Sequence, residues 1–116
     1  MFLKASYKQQ NGHKMFNLNK EDVVFVEQDG DYHNVYVSGI PFFINFHGNG
    51  AIVSERFPNL VKAHRSYFIN PEKIFCLSHK PDNMVEIKFK DGKELTFSRS
   101  KTLHNDFIEK LEANAE

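Results

Sequence analysis

The sequence predicts a mainly β protein: about ten short strands in stacked sheets, one short helix, and an amphipathic helix at the C-terminus. Three observations support this fold class. Apolar and polar residues alternate most regularly in Met84–Lys90, with Val85, Ile87 and Phe89 on one face. Turn-forming pairs such as Asp91-Gly92 separate the short apolar runs. Twelve phenylalanines and no tryptophan indicate an aromatic-rich β core.

The chain of 116 residues is long enough for one core, so a single domain over residues 1–116 is expected. No apolar run approaches the roughly 18 residues of a membrane span, and the N-terminus lacks the apolar region of a signal peptide. A cytoplasmic protein is therefore expected. Cys76, the single cysteine, excludes an internal disulfide and is expected to be a buried, inert thiol.

The N-terminal half is predicted to contain five strands. The first two form a hairpin, because Asn11-Gly12 suits a tight turn. Gly30 is expected to adopt positive φ in the turn over residues 28–31. Pro41, near the start of the fifth strand, is tolerated at a sheet edge. The five strands are residues 2–7, residues 13–18, Asp22–Glu27, Tyr32–Val37 and Ile40–Phe46.

The middle of the chain combines a short helix with an interrupted strand. Ala51–Phe57 is predicted to form two helical turns that Pro58 ends. Residues 61–70 contain β-branched and aromatic residues that favour a strand. Three consecutive hydrogen-bonding side chains, His64–Ser66, are awkward inside a buried strand. A polar break between two short strands, with Arg65 projecting, is therefore expected.

The C-terminal part is predicted to contain three further strands and the last helix. Leu103, Phe107 and Leu111 recur every fourth residue, which predicts a helix of about ten residues with one apolar stripe. That stripe is expected to pack against a sheet. The three strands are Lys73–Ser78, Met84–Lys90 and Leu95–Phe97.

The charge is neutral overall but unevenly distributed. Residues 56–101 carry ten bases and five acids, a net charge of +5, whereas residues 21–55 carry six acids and no Lys or Arg. One face can therefore be basic while the whole chain is neutral. The alternative is a chance distribution of solvated surface charge.

The sequence gives little support for an enzyme. The six histidines form no HxH or HxxxH pair, and there is no second cysteine, so neither a metal site nor a cofactor is expected. The nucleophile-elbow, P-loop and dinucleotide-binding patterns are also absent from the sequence. Gly48-Asn49-Gly50 is only weak support for a phosphate-binding loop.

Arg65 is the strongest candidate for contact with nucleic acid. An arginine fork matches O6 and N7 of guanine in the major groove, or two phosphate oxygens. The alternative is an ordinary surface ion pair. His33 either lies at the edge of the core or is lifted clear of the sheet, where its ring reaches a base or a phosphate. Asp29 and Asp31 oppose phosphate approach, so His33 would have to point away from them.

A third candidate region is Ser98–Lys101, where a strand ends and the last helix is predicted to begin. Serines suit an N-cap, and the free backbone N–H groups of a helix start suit phosphate. Arg99 and Lys101 add positive charge. The alternative is capping by Ser98 or Ser100 with solvated bases, and both interpretations can hold together.

The order of these features resembles a known family. The string His64–Asn70 occurs together with the Gly-Asp-Tyr turn at residues 30–32, the Asp91-Gly92 turn and the Ser98-Arg99 pair. This arrangement resembles the LytTR-type DNA-binding domain of bacterial transcription regulators, over about Lys14 to Leu111. The resemblance implies ten strands in stacked sheets. It also implies binding to direct repeats in promoter DNA through loops that enter successive major grooves.

The resemblance assigns DNA contacts to three places: His33, Arg65 and the start of the last helix. Alignment places Ser100 at the third contact, but the family often has a base there, so Arg99 or Lys101 is the alternative. Residues 47–58 are rich in glycine and depart from the family pattern. Response regulators of this family usually carry a receiver or a membrane segment, and this sequence shows neither. It therefore resembles a stand-alone regulator, whose activating signal and signalling partner the sequence does not identify.

The sequence thus predicts a sequence-specific, double-stranded DNA-binding transcription regulator. No coiled-coil heptad is present, so a monomer in solution is expected, with two copies on direct repeats. The alternative is a small β-rich module that binds another protein. A basic face shared by His33, Arg65 and Lys101 would favour DNA, and an exposed apolar patch there would favour protein.

Overall fold

The structure is a computed structural model that describes residues 2–9 and 12–98. This part of the chain forms ten strands, one α-helix (α1, Gly50–Arg56) and two single-turn 3-10 helices. The predicted C-terminal helix, with Leu103, Phe107 and Leu111, lies outside the described residues. The strands are β1 Phe2–Gln9, β2 Gly12–Asn19, β3 Val23–Asp29, β4 Tyr32–Val37, β5 Phe43–His47, β6 Val61–His64, β7 Tyr67–Ile69, β8 Ile74–Lys80, β9 Met84–Phe89 and β10 Glu94–Ser98.

The strands form three antiparallel sheets. The largest has five strands in the order β5-β4-β3-β7-β6, and a second has three in the order β10-β9-β8. Strands β1 and β2 form a separate hairpin. The predicted mainly β fold of about ten strands in stacked sheets is confirmed.

Strand β3 is the centre of the larger sheet, with β4 on one side and β7 on the other. Its first four residues, Val23 to Val26, are all buried, because both faces of the sheet are covered. The pairing with β4 shifts register between Val23 and Phe25, so the two faces do not alternate strictly. Val24 and Phe25 join one core, while Val23 and Val26 join another.

The two cores lie on opposite faces of this sheet. One fills the space between the two larger sheets, where Val85, Ile87 and Phe89 of β9 pack onto β3 and β7. All three are at least 97% buried, as their alternation predicted. The other core lies under α1, which contributes Val53 and the following Phe57. At about 25 cal/mol per Å² of apolar surface, these two cores supply most of the driving force for folding.

Helix α1 forms where the sequence predicted it, within one residue at each end. Asn49 is its N-cap, and the side-chain oxygen accepts hydrogen bonds from the N–H groups of Ala51 and Ile52 at 3.1 and 3.3 Å. Phe57 caps the C-terminus through its N–H to Val53. Pro58 follows and cannot continue the helix.

Two local expectations differ from the structure. Strand β5 begins at Phe43 rather than Ile40, because Pro41 has no N–H to donate to a ladder. This strand does lie at a sheet edge, as expected. The Cys76 thiol is partly exposed rather than buried, since β8 is the outer strand of its sheet. Within the described ranges, no helix is long and apolar enough to cross a membrane.

Candidate nucleic-acid interface

The pairing of the strands places several turns at one end of the domain. Tyr32 pairs with His47 and Glu27 pairs with Tyr67, so the β3–β4 turn, the β5–α1 loop and the β6–β7 turn lie at the same end. We call this region the loop end and define it by residues 29–32, 48–50, 65–66 and 98. The opposite end holds the β9–β10 turn, where Asp91 accepts a hydrogen bond from Gly39 N–H at 3.1 Å.

The turn that carries Arg65 is tightly braced. His64 pairs with Tyr67, which leaves Arg65 and Ser66 as the two turn residues. The Ser66 N–H donates to Nδ1 of His64 at 3.0 Å, and the Ser66 carbonyl accepts from the Gln28 N–H at 2.8 Å. The turn is therefore fixed both to its own strand and to β3.

The Arg65 side chain is exposed at the tip of this turn. Among the residues that the structure describes, no carboxylate lies within ion-pair distance of its guanidinium. The predicted polar break between two short strands is confirmed. Within this part of the chain, the alternative of a surface ion pair finds no partner. As far as the described residues are concerned, the five donors of the guanidinium remain available for an external acceptor.

His64 supports the turn from below. Its ring is 7% exposed and packs against Tyr67 and Phe97, with centroids 5.3 and 5.1 Å away. Because Nδ1 accepts the Ser66 N–H, this nitrogen carries no proton. The sequence assigned His64 only to a polar break. Its role as a buried brace depends on β10, which is distant in sequence.

A cleft of about 490 Å³ opens beside this turn, between the two larger sheets. Ser66 lines one wall, and Ser98 at the end of β10 lines the other. The cleft therefore brings the Arg65 turn close to the point where the chain continues into Arg99, Ser100 and Lys101. These three predicted contact residues lie outside the described residues. The described residues that line the cleft are Glu27, Gln28, Asp29, His64, Ser66, Tyr67, Thr96, Phe97 and Ser98.

A row of hydrogen-bonded polar side chains crosses the five-stranded sheet and ends at the cleft, which Glu27 and Tyr67 line. Asn45 donates to the Asn34 oxygen at 2.7 Å, and the Asn34 amide donates to Glu27 Oε1 at 3.2 Å. The Tyr67 hydroxyl lies 3.5 Å from Glu27 Oε2. These four residues are direct neighbours on adjacent strands. The row ties the edge strand β5 to the strand that follows the Arg65 turn.

The carboxylate in this row affects the nearby tyrosines. Burial raises the pKa of Tyr67 above 10.0, and the adjacent Glu27 raises it further by charge and by hydrogen bonding. Burial likewise raises the pKa of Tyr36, again with a contribution from Glu27. Both hydroxyls therefore stay protonated at neutral pH, so Tyr67 can donate to the carboxylate. The sequence signal was the presence of Glu27, Asn34 and Asn45 within apolar strands.

His33 is fully buried in this structure, with 0% exposure. Its ring stacks on Phe46 with a centroid separation of 5.5 Å, and Nδ1–H donates to the Gly48 carbonyl at 3.1 Å. Burial lowers the pKa of His33 below 6.5; the Gly48 carbonyl opposes this, while Arg56 and His47 add to it. The geometry supports a histidine at the edge of the core, and a direct contact with DNA would require the covering loop to open.

The β5–α1 loop packs closely over His33. A Cβ at Gly48 would lie 3.2 Å from His33 Cε1, and a Cβ at Gly50 would lie 2.7 Å from Gln28 Oε1. Gln28 and His33 are directly opposed on β3 and β4. Each glycine thus permits close approach to one of this pair, so the two side chains position the loop. Among the described residues, buried His33 Nε2 and Gln28 Oε1 have no hydrogen-bond partner.

The described residues contain no group of three His, Cys, Asp or Glu side chains placed to hold a metal. Large exposed apolar side chains include Phe42, Phe43 and Phe75, at 49, 46 and 65% exposure. They lie towards the opposite end from Arg65, because Phe43 pairs with Tyr36 and β8 begins beside Phe89. Among the described residues of the loop end, Tyr32 is the large apolar side chain that is exposed, at 49%.

Comparisons with known proteins agree with this architecture. The family model of the LytTr DNA-binding domain matches residues 13–104. Among solved structures, the LytTr DNA-binding domain of a methyl-accepting/DNA response regulator from Bacillus cereus superposes with a TM-score of 0.65. The two share 15% sequence identity over 93% of this chain and 94% of that one, which shows a common fold. A search of curated proteins found no match. The chain therefore belongs to the LytTR family of DNA-binding domains.

Proposed function

We propose that this domain binds double-stranded DNA in a sequence-specific manner through its loop end, as a transcription regulator. One observation carries the proposal: Arg65 stands exposed at the tip of a braced turn, without a carboxylate partner among the described residues. Because the turn is braced, its backbone loses little conformational freedom when Arg65 binds. The major groove, about 12 Å wide, can admit a two-residue turn of this kind.

Arg65 is proposed to contact a guanine through O6 and N7, or two phosphate oxygens. Asp29 and Asp31 lie exposed on the neighbouring turn and repel phosphate. Asp29 also lines the cleft that Ser66 and Ser98 share, so the DNA backbone should approach the Ser98 wall of this cleft rather than the β3–β4 turn. Arg99, Ser100 and Lys101 follow directly after Ser98 in the sequence, which supports a third contact region near this cleft.

His33 is proposed to act mainly by positioning the β5–α1 loop. Its hydrogen bond to Gly48 and its burial both support this role. A direct contact with a base remains the alternative proposal for His33. The two roles are distinguished by His33→Gln, which can still donate to a carbonyl. Loss of specificity at one base pair, without a general loss of affinity, would favour direct contact.

An unbiased selection of bound duplex fragments, followed by sequencing, would identify the recognised site. Arg65→Ala should then weaken binding to that site by about 1–3 kcal/mol. Arg65→Lys keeps the charge but loses the fork, so it separates base recognition from simple attraction. Lys90→Ala is the matched control, because Lys90 is exposed and lies at the opposite end of the domain. Its backbone N–H donates a hydrogen bond to the Lys73 carbonyl there.

The result decides between two functions. Unchanged DNA affinity in a folded Arg65→Ala protein would remove the proposed base contact. Failure of the wild-type domain to select any DNA would instead favour the protein-interaction module. The exposed Phe42, Phe43 and Phe75, at the end away from Arg65, would then be the surface to test.

We further propose that the domain is a monomer in solution and occupies direct repeats as two copies. Head-to-tail repeats require no two-fold axis in the protein. Inserting about 5 base pairs between the repeats would rotate one copy to the opposite face of the duplex. Joint occupancy should fall with this half-turn spacer and recover with a full turn. A stable dimer in sedimentation without DNA, or occupancy indifferent to spacer phase, would contradict this assembly.

A further inference from the structure

The β8–β9 turn, residues 81–83, also lies at the loop end, although its sequence gave no such indication. Ser98 pairs with Met84, and Met84 pairs in turn with Lys80. Neighbouring strands are about 4.8 Å apart, so the backbone of Lys80 lies about 10 Å from that of Ser98. Ser98 faces Ser66 across the cleft. The β8–β9 turn and the Arg65 turn thus lie at the same end of the domain, with the β8–β9 turn two strands away from the cleft wall that Ser98 forms.

The shape of this turn is unusually well defined. Asp82 and Asn83 both have left-handed backbone conformations, with φ of 63° and 61°. Asp and Asn tolerate this region better than other non-glycine residues, yet two in succession restrict the turn to few conformations. All three turn residues and Lys80 are exposed. The turn and the pairing with Met84 therefore fix the backbone of Lys80 at the end of the sheet.

Lys80 is only weakly engaged within the protein. Its Nζ lies 3.6 Å from Glu86 Oε1, and its side chain is 47% exposed. An ion pair of this kind contributes little, because the lysine is about half exposed and the two charged atoms are 3.6 Å apart. A phosphate oxygen can replace the carboxylate at small cost. The lysine side chain is long enough to reach a DNA phosphate at the edge of the major groove, which is about 12 Å wide.

From this placement we propose that the β8–β9 turn is a further DNA-contacting element and that Lys80 binds a phosphate there. The inference rests on the proposed DNA binding through the loop end. A phosphate contact adds affinity for any duplex but carries no sequence information. Lys80 would thus set the register of the domain on the duplex, while Arg65 reads the bases. Glu86 would compete with the phosphate and limit non-specific binding.

The test is a salt titration of DNA affinity for the full chain with Lys80→Ala. The slope of log K against log salt is negative, and each lost phosphate contact reduces its magnitude by about 0.9. Lys80→Ala should show this decrease, and it should weaken binding to the selected site and to unrelated duplex by the same factor. Lys90→Ala, at the other end of β9, should change neither quantity. Glu86→Gln should tighten binding, and only while Lys80 is present.

The outcomes separate the two proposals. An unchanged salt slope with Lys80→Ala, in a protein where Arg65→Ala still loses affinity, would overturn the β8–β9 contact and leave the loop end intact. An equal effect of Lys90→Ala would also overturn it, because a general loss of charge would then explain the result. A wild-type chain that binds no duplex at all would remove both proposals. Thermal melts of each variant show whether the fold is retained.

Discussion

Replacing Gly48 by alanine tests how closely the β5–α1 loop packs over His33. The new Cβ would lie 2.9 Å from Ile52 Cγ2 and 3.2 Å from His33 Cε1, closer than normal contacts. Overpacking a core in this way costs about 1–3 kcal/mol. Gly48 also has φ of +147°, and a strained backbone costs a similar amount, about 1–3 kcal/mol. The free energy of unfolding should therefore fall by about 2–6 kcal/mol.

Gly39→Ala is a matched control for the backbone contribution. Gly39 has φ of +76°, and a Cβ there meets nothing within 4 Å. Its substitution should cost only the strain, about 1–3 kcal/mol. The excess in Gly48→Ala measures the packing. Ile52→Ala removes the atom nearest to the new Cβ, so the double variant should lose less stability than the two single losses added together.

Urea unfolding, followed by circular dichroism, would give the midpoint and the slope for each variant. Comparable slopes show that the extent of unfolding is unchanged, so the midpoints report stability. Equal losses for Gly48→Ala and Gly39→Ala would refute the packing argument. Strict additivity of Gly48→Ala and Ile52→Ala would refute it as well. The β5–α1 loop would then lie more loosely over His33 than the distances indicate.

Three further predictions concern the same domain. Phe97→Ala should destabilise the protein by about 3–5 kcal/mol, because Phe97 is 4% exposed and packs against both His64 and Tyr67. Thermal melting measures this loss of stability. A loss below about 1 kcal/mol would contradict the packing. Burial lowers the pKa of His33 below 6.5, so its neutral ring stabilises the fold fully above about pH 6.5, and this stability is lost as pH falls through the lowered pKa. The stability advantage of the wild type over His33→Gln should then shrink towards acid pH in urea titrations, and a constant difference would show that His33 does not titrate in this way. If the predicted last helix packs on a sheet, Phe107→Ala should cost about 3–5 kcal/mol, and truncation after Lys101 should lower the melting temperature; a truncated chain that melts like the full one would show that this helix is not part of the core.

The positions of the elements could be predicted from the sequence because their causes are local. Tyr32–Val37 is a strand with the predicted bounds, and Gly30 has the expected positive φ of 60°. The break at Arg65 follows from three adjacent polar side chains, and the two short strands form on either side of it. Alternation and turn chemistry act over a few residues, so a single chain segment carries enough information.

The placement of the candidate residues was harder to predict from the sequence. His33 shares a face with Val35 and Val37, which alone left both the buried and the exposed interpretation open. Its burial depends on Phe46 and on the loop at Gly48, fifteen residues away. Likewise, the polar row from Asn45 to Tyr67 exists only because four strands meet in one register.

The sequence alone thus determined the strands, the turns, the short helix and the projection of Arg65. Only the tertiary structure decided that Ser66 and Ser98 face one cleft and that Lys80 lies at the same end as Arg65. The physical reason is that pairing between distant strands is fixed by how all the apolar faces are buried together. A one-residue shift would turn each side chain to the other face, so no isolated segment can specify the arrangement.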